Sequence, residues 1–164
     1  TISFSIENYN PISLTLTETA MNQITAFATG GNGNYTYYVN GINYGSTSVF
    51  QIYASGVYTI MVEDANGCTA EAQITMEFID IEIPNFFTPN DDGENDTWVP
   101  DNLDGFPNAK IEVFDRFGRI ITQFGDKGEW DGRYNGALLP TGDYWYTITL
   151  YEGKQYVGNV TLYR

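Results

Sequence analysis

The sequence predicts an all-β chain folded as two tandem β-sandwich domains. Three observations carry that expectation. The 164 residues include 13 Tyr, 10 Phe and 17 Gly, with many Thr, Val and Ile, a composition of strands broken by frequent turns. No window keeps an apolar period of 3.6 for more than a few residues, so helix is limited to a turn or two. One landmark recurs in both halves: Ser55-Gly56-Val57-Tyr58-Thr59-Ile60 and Thr141-Gly142-Asp143-Tyr144-Trp145-Tyr146 each read as a turn feeding a strand, with Tyr two residues after Gly.

Each landmark is followed by a hairpin signal, Asn66-Gly67 in one half and Glu152-Gly153 in the other, and then by a closing strand over 69–76 or 155–163. This is the order of the last hairpin of an immunoglobulin-like sandwich, where a Tyr near the start of the penultimate strand ties down a corner. Two immunoglobulin-like domains are therefore expected, over 9–78 and 79–164, with residues 1–8 read as the last strand of a preceding repeat. The boundary falls in Phe78-Ile79-Asp80-Ile81-Glu82-Ile83, where one domain's last strand passes to the next domain's first, and Pro84 suits a strand edge. In the first domain the candidate strands are 12–17, 23–28, 35–39, 48–52, 56–63 and 69–76. Between them, 29–34 is a Gly-rich turn and Asn40-Gly41 a hairpin turn. The Gly-rich turn is not a phosphate loop, because no Lys-Ser/Thr pair follows it. Domains of about 80 residues bury only roughly 60% of their unfolded surface, so repeat stacking or a bound metal is expected to supplement each core. The closing strand 155–163 is expected at a sheet edge, flanked by Lys154 and Arg164, and open to strand addition.

The charge is lopsided. Against 21 acids stand 7 bases, a net charge of −14, which excludes the basic surface that nucleic acid requires and disfavours anionic lipid. No Lys or Arg precedes Lys110, and Asp80, Glu82, Asp91, Asp92, Glu94, Asp96, Asp101 and Asp104 crowd a stretch with no base. Like charges this close repel by about 1 kcal/mol per pair even in water, and a cation relieves that. The loop Asn90-Asp91-Asp92-Gly93-Glu94-Asn95-Asp96 has oxygen donors at alternate positions around a Gly, the pattern of a calcium loop. Asn90, Asp92 and Asp96 would give side-chain oxygens and Glu94 its carbonyl. The bidentate Glu of a full calcium hand is replaced by Val99, so Asp101 and Asp104 are candidates to complete the shell. The other reading is an Asx-rich loop capped by its own backbone.

Further candidates are structural or surface features. Trp130-Asp131-Gly132-Arg133-Tyr134-Asn135-Gly136 reads as two tight turns on a buried Trp. Residues 144–151 alternate with aromatics on both faces. Trp145 and Tyr151 share the face away from the core, either as a sugar- or partner-binding surface or as ordinary cover. The single cysteine, Cys68, is read as a small buried strand residue. With no His in the chain and acids clustered on one turn rather than opposed across a cleft, no catalytic residues are expected and the chain is not read as an enzyme. Neither an initiator Met, a signal peptide nor a transmembrane run is present, as expected of a piece of a longer protein.

Two sets of motifs resemble known families. Thr29-Gly30-Gly31-Asn32-Gly33-Asn34-Tyr35 and Ala54-Ser55-Gly56-Val57-Tyr58, with Asp64, Asn66, Gly67 and Cys68, resemble the short repeat of very large surface adhesins of gliding Bacteroidetes, over roughly 20–76. The second domain carries IPNFFTPNDDGENDTW, KIEVFDRFGR, WDGRYNG and LPTGDYWYTITL in order over about 81–164. It resembles the gliding-motility-associated C-terminal domain, the type B sorting domain of the type IX secretion system. Asp91 stands where that family more often has Gly, and Phe117 where it often has Trp; Asp tolerates the left-handed conformation better than most residues.

The resemblance implies a gliding-motility adhesin at the extracellular face of the outer membrane. Its C-terminal domain would be export address and anchor, with the secretion translocon and an associated outer-membrane β-barrel protein as partners. Surface polysaccharide would be contacted through an upstream passenger. The alternative is a calcium-stabilised carbohydrate-binding module of a secreted protein. Fold alone does not separate these, since sandwiches host many functions.

Overall fold

The computed structural model describes residues 10–151 and 153–164. The strand expected over 1–8, and Glu152 of the second hairpin signal, lie outside the described residues. The chain divides into two compact units, Thr1–Ile79 and Asp80–Arg164. Both are all-β, in keeping with immunoglobulin-like sandwiches. Among the described residues the one helical element is a 3₁₀ turn at Leu103–Gly105.

The first unit pairs β1 (Ser13–Ala20), β2 (Gln23–Thr29) and β5 (Val49–Gln51) in one sheet. The other sheet has the order β4 (Ile42–Gly45), β3 (Thr36–Val39), β6 (Gly56–Glu63), β7 (Thr69–Met76). Alternation sends Ile24 and Ala26 of β2, Tyr37 and Val39 of β3, and Ile60 and Val62 of β6 into one core. The sequence reading lacks β4. Its residues are mostly exposed and show no alternation, and only the hairpin turn before it marks the place. Asn40 and Gly41 take φ of 48° and 82°, the pair of left-handed residues that a two-residue hairpin turn demands.

Cys68, expected to be buried in a strand, is exposed in the turn before β7. Its amide, not its thiol, carries its local role. The buried Asp64 carboxylate accepts hydrogen bonds from the amides of Asn66 and Cys68 at 2.9 Å each and from that of Asn32 at 2.8 Å. One side chain thus joins the β6–β7 turn to the Gly-rich loop. A Cβ on Gly31 would lie 2.5 Å from that carboxylate, which explains the glycine.

The second unit is built on a five-stranded sheet with the order β10 (Ile120–Phe124), β9 (Lys110–Phe114), β13 (Gly142–Thr149), β14 (Gln155–Leu162), β8 (Phe86–Phe87). Facing it are the short ribbon of β11 (Arg133–Tyr134) with β12 (Ala137–Leu138) and two bridges, Glu82 with Asp101 and Trp98 with Trp130. The core is aromatic. Trp98 is fully buried and lies 5.1 Å from Tyr146, ring to ring, while Trp130 lies 5.0 Å from Phe87 and 5.1 Å from Tyr144. Both indoles are satisfied: Trp98 Nε1 donates to Pro84 O and Trp130 Nε1 to Arg133 O.

Two expectations change here. Residues 78–84 form no strand beyond the Glu82 bridge, because Glu82 and Pro84 are held by Asp101 and Trp98. The closing strand is not the outermost one, since β8 pairs in parallel with its end, Phe86 opposite Thr161 and Phe87 opposite Leu162.

The shared landmark has a shared geometry. Tyr58 donates from its hydroxyl to Ala54 O at 2.7 Å, and Tyr144 donates to Pro140 O at 3.0 Å. Each Tyr reaches back four residues and fixes the corner from which its strand starts.

Candidate functional site

The acidic loop of the second unit closes on itself. Asp96 Oδ1 accepts from the amides of Asn90 and Asp91 at 2.9 and 2.7 Å, and its Oδ2 from that of Gly93 at 2.8 Å. Asp92 accepts from the Glu94 amide and from the Asn90 side chain, and the Asp92 amide donates back to Asn90 Oδ1. The Gly93 amide, helped by those of Asp91 and Asn90, outweighs burial and holds the Asp96 carboxyl below the usual range. Asp91 adopts φ 65°, the left-handed conformation that its position requires.

Asn90, Asp92, Glu94 and Asp96 therefore share one loop, with their side-chain oxygens engaged by amides or, for Glu94, exposed. Among the described residues no three acidic, His or Cys side chains converge as a metal-binding group. Asp101 pairs backbone to backbone with Glu82. Both Asp92 carboxylate oxygens and Asp96 Oδ2 keep lone pairs beyond the hydrogen bonds they accept.

Trp145 and Tyr151 are not brought together. Trp145 is partly exposed on β13, whereas Tyr151 lies past that strand's end, stacked on the buried Phe106 at 6.1 Å and 9°. What accompanies Trp145 is an open groove of about 440 Å³ between the β9–β10 turn and the start of β13, lined by Arg116, Phe117, Arg119, Pro140 and Asp143 among others. Phe117 is 79% exposed, with the Arg116 guanidinium 4.9 Å from its ring. Its hairpin is cross-braced by one carboxylate. Asp115 Oδ1 accepts from the amides of Phe117 and Arg119, and its Oδ2 from the Arg119 side chain. This is the same turn as the one on Asp64, with the carboxylate bonded to the amides two and four residues on and Gly118 left-handed at φ 77°. The repeated D-x-x-G spacing was its sequence signal.

Two further clusters join distant parts of the unit. Asp80 Oδ2 accepts from Lys154 Nζ and from Tyr156 Oη at 2.6 Å each. The Lys154 ammonium lies 5.1 Å from the Tyr156 ring centre and 5.8 Å from that of Tyr151. Arg164 donates to Leu139 O, Gly132 O and Pro89 O, fastening three loops with one guanidinium. No motif in the sequence marks either cluster.

The matched family covers this unit. Residues 81–162 match the CHU_C Type IX secretion signal domain. The chain belongs to that family. It is thereby part of a secreted protein sorted by the type IX secretion system and attached at the cell surface, and it interacts with that secretion machinery. None of the described helices is long and apolar enough to cross a membrane.

No curated protein matches the chain. Among solved structures, 94% of the chain is similar to dimeric latent PorU from Porphyromonas gingivalis, at 14% identity and a TM-score of 0.28, over 20% of that chain. The same share is similar to SGBP-B of the Bacteroides ovatus mixed-linkage glucan utilization locus, solved with a mixed-linkage heptasaccharide, at 14% identity and a TM-score of 0.28, over 48% of that chain. The chain thus spans a fifth and about half of these two proteins.

Proposed function

We propose that the second unit is the export address and outer-membrane anchoring module of a large cell-surface adhesin involved in gliding motility, and that the first unit is a repeat of its stalk. One observation carries this reading: the family match, 81–162, coincides with a compact unit, Asp80–Arg164, that has its own sheet and core. A portable address needs to fold by itself on whatever it is attached to. The stalk assignment rests on the adhesin-like motifs, whose Gly31 and Asp64 have a definite structural task in joining loop to turn. The partners on this reading are the translocon and an outer-membrane β-barrel protein, at the extracellular face. No catalytic role is assigned: Asp96 and Asp115 brace turns and Asp80 forms an ion pair.

The test is transplantation. A reporter fused to residues 80–164 should reach the cell surface in a host with the system, and a reporter fused to residues 10–79 should stay inside. Surface display by the first unit alone would overturn the assignment.

A carbohydrate-binding reading has one observation in its favour, the open groove with Phe117 and Trp145. Glycan retention by the isolated chain, lost in Trp145→Ala, would support it. Calcium at the 90–96 loop is likewise a proposal. The density of acids favours it, and the amide bonds to Asp92 and Asp96 hold the loop in shape while leaving carboxylate lone pairs free.

A further inference from the structure

We propose that the secretion machinery reads this domain at the groove beside the β9–β10 turn, and that the groove takes an acidic peptide segment of that machinery, a carboxylate next to an apolar side chain. This rests on the reading of the second unit as an export address.

An address that serves any passenger is read on its own surface. Phe117, at 79%, is the most exposed large apolar side chain among the described residues. One exposed ring needs no explanation, but this one shares its groove with Arg116 and with Trp145, itself 42% exposed. Aromatic rings beside an Arg are what the energetic centres of interfaces are made of. The turn that carries Arg116 and Phe117 is already braced by the Asp115 carboxylate, and a turn held in shape beforehand costs less to bind.

The occupant is argued from charge. Among the described residues five of the bases are ion-paired, and Arg164 is spent on three carbonyls. Arg116 has no acid or carbonyl partner there; its exposed guanidinium lies over the Phe117 ring. A planar fork of this kind fits a carboxylate through two parallel hydrogen bonds. Two acids line the groove. Asp115 is taken up by Arg119, and Asp143 accepts from Thr161 Oγ1 at 2.7 Å. Asp143 repels an anion from the β13 side, so the ligand's acid belongs on the turn side, at Arg116. With a net charge of −14 the rest of the chain turns such a segment away. A peptide is favoured over a glycan because family membership supplies a protein partner, the secretion machinery.

The test is surface display of a reporter fused to residues 80–164 in a host that has the system. Arg116→Lys, Arg116→Gln and Arg116→Glu should lower display in that order. Arg116→Glu and Phe117→Ala should each reduce it at least about tenfold, with circular dichroism and melting temperature close to those of the parent. Val157→Ala trims another exposed apolar side chain, 73% exposed, and should leave display unchanged. Should Phe117→Ala lose its fold, the Arg116 series decides alone. An unaltered fusion that stays inside the cell refutes the address reading itself. An unaltered fusion on the surface, joined there undiminished by folded Arg116→Glu and Phe117→Ala, overturns the groove proposal alone, as does an equal loss in Val157→Ala. Retention of the 164-residue chain on immobilised polygalacturonate, abolished by the same two substitutions, would make the occupant an acidic glycan and overturn the peptide.

Discussion

Asp80 and Lys154, 74 positions apart in sequence, meet at 2.6 Å. Tyr156 donates to the same carboxylate oxygen. Burial by itself raises the Asp80 pKa, but the hydrogen bonds from Lys154 and Tyr156 outweigh it and leave the pKa below its ordinary value. Burial likewise works against the charge on Lys154, and the bonds to Asp80 and Tyr156 reverse it, so that pKa rises. Each partner is held in its charged form by the other.

Asp80→Asn should therefore destabilise the second unit at pH 7. Both side chains keep about a third of their exposure (32% and 39%), so the loss is set at about 1 kcal/mol. A carboxylate with a depressed folded pKa stabilises above its unfolded pKa of about 3.9, and that stability is lost as pH falls through the folded value. In urea unfolding, the gap between wild type and variant should be full at pH 7 and close progressively below about pH 4. A gap that stays constant across that range would refute the pairing.

The two tyrosine corners should behave alike. Tyr58→Phe and Tyr144→Phe each remove one hydroxyl donor and leave the ring in place, so each should lower stability by about 1 kcal/mol. Unfolding curves of the two variants, followed by probes in their own units, check this. No loss in either would make the corner ornamental.

The acidic loop makes a prediction with two arms. Asp96→Ala frees three amides and should lower the melting temperature in calcium-free buffer, where only loop capping acts. Calcium added to the wild type is the second arm. A rise that Asp92→Ala abolishes would establish the cation site, since a ligand that binds only the folded state stabilises it. An unchanged melting temperature would remove calcium from the account.

Gly132 is the glycine of the WDGRYNG run that the fold cannot replace. It has φ 75°, and a Cβ there would lie 2.6 Å from Leu162 Cδ1 and 3.1 Å from Arg164 Nη2. Gly136 has φ 81° and open space around it. Gly136→Ala should cost about 1 kcal/mol for backbone conformation alone, and Gly132→Ala about 1–3 kcal/mol more for displaced packing. Equal losses in a denaturation series would show that Arg164 and Leu162 yield freely.

Local chemistry was legible and long-range partnership was not. Strands such as Gly56–Glu63 and Thr69–Met76 declared themselves by alternation between turn residues, and the Gly-x-Tyr corners announced a sandwich in each half. The crowd of acids at 90–96 was visible too, but the side-chain directions that bring the loop's own amides onto Asp92 and Asp96 were not. β4 escaped because its exposed residues carry no pattern. Nothing in one dimension sets Asp80 beside Lys154, or Arg164 beside three separate carbonyls. The short parallel pairing of Phe86 and Phe87 with β14 depends on where Pro84 and Trp98 pull the chain. Cys68 was misplaced because a small apolar residue next to a strand looks buried, while here the turn needs its amide.

The parallel pairing of β8 with β14 also sets an order of events. Phe86 and Phe87 belong to the first residues of their unit to be synthesised, and their ladder partners Thr161 and Leu162 to the last. Contacts of such long sequence separation form late and slowly. As the chain emerges, the opening segment has nothing to pair with until Gln155–Leu162 exists, so β8 joins the sheet only after β9, β10 and β13 have been made. A nascent chain halted anywhere before residue 155 carries an address that has been written out but not yet folded shut.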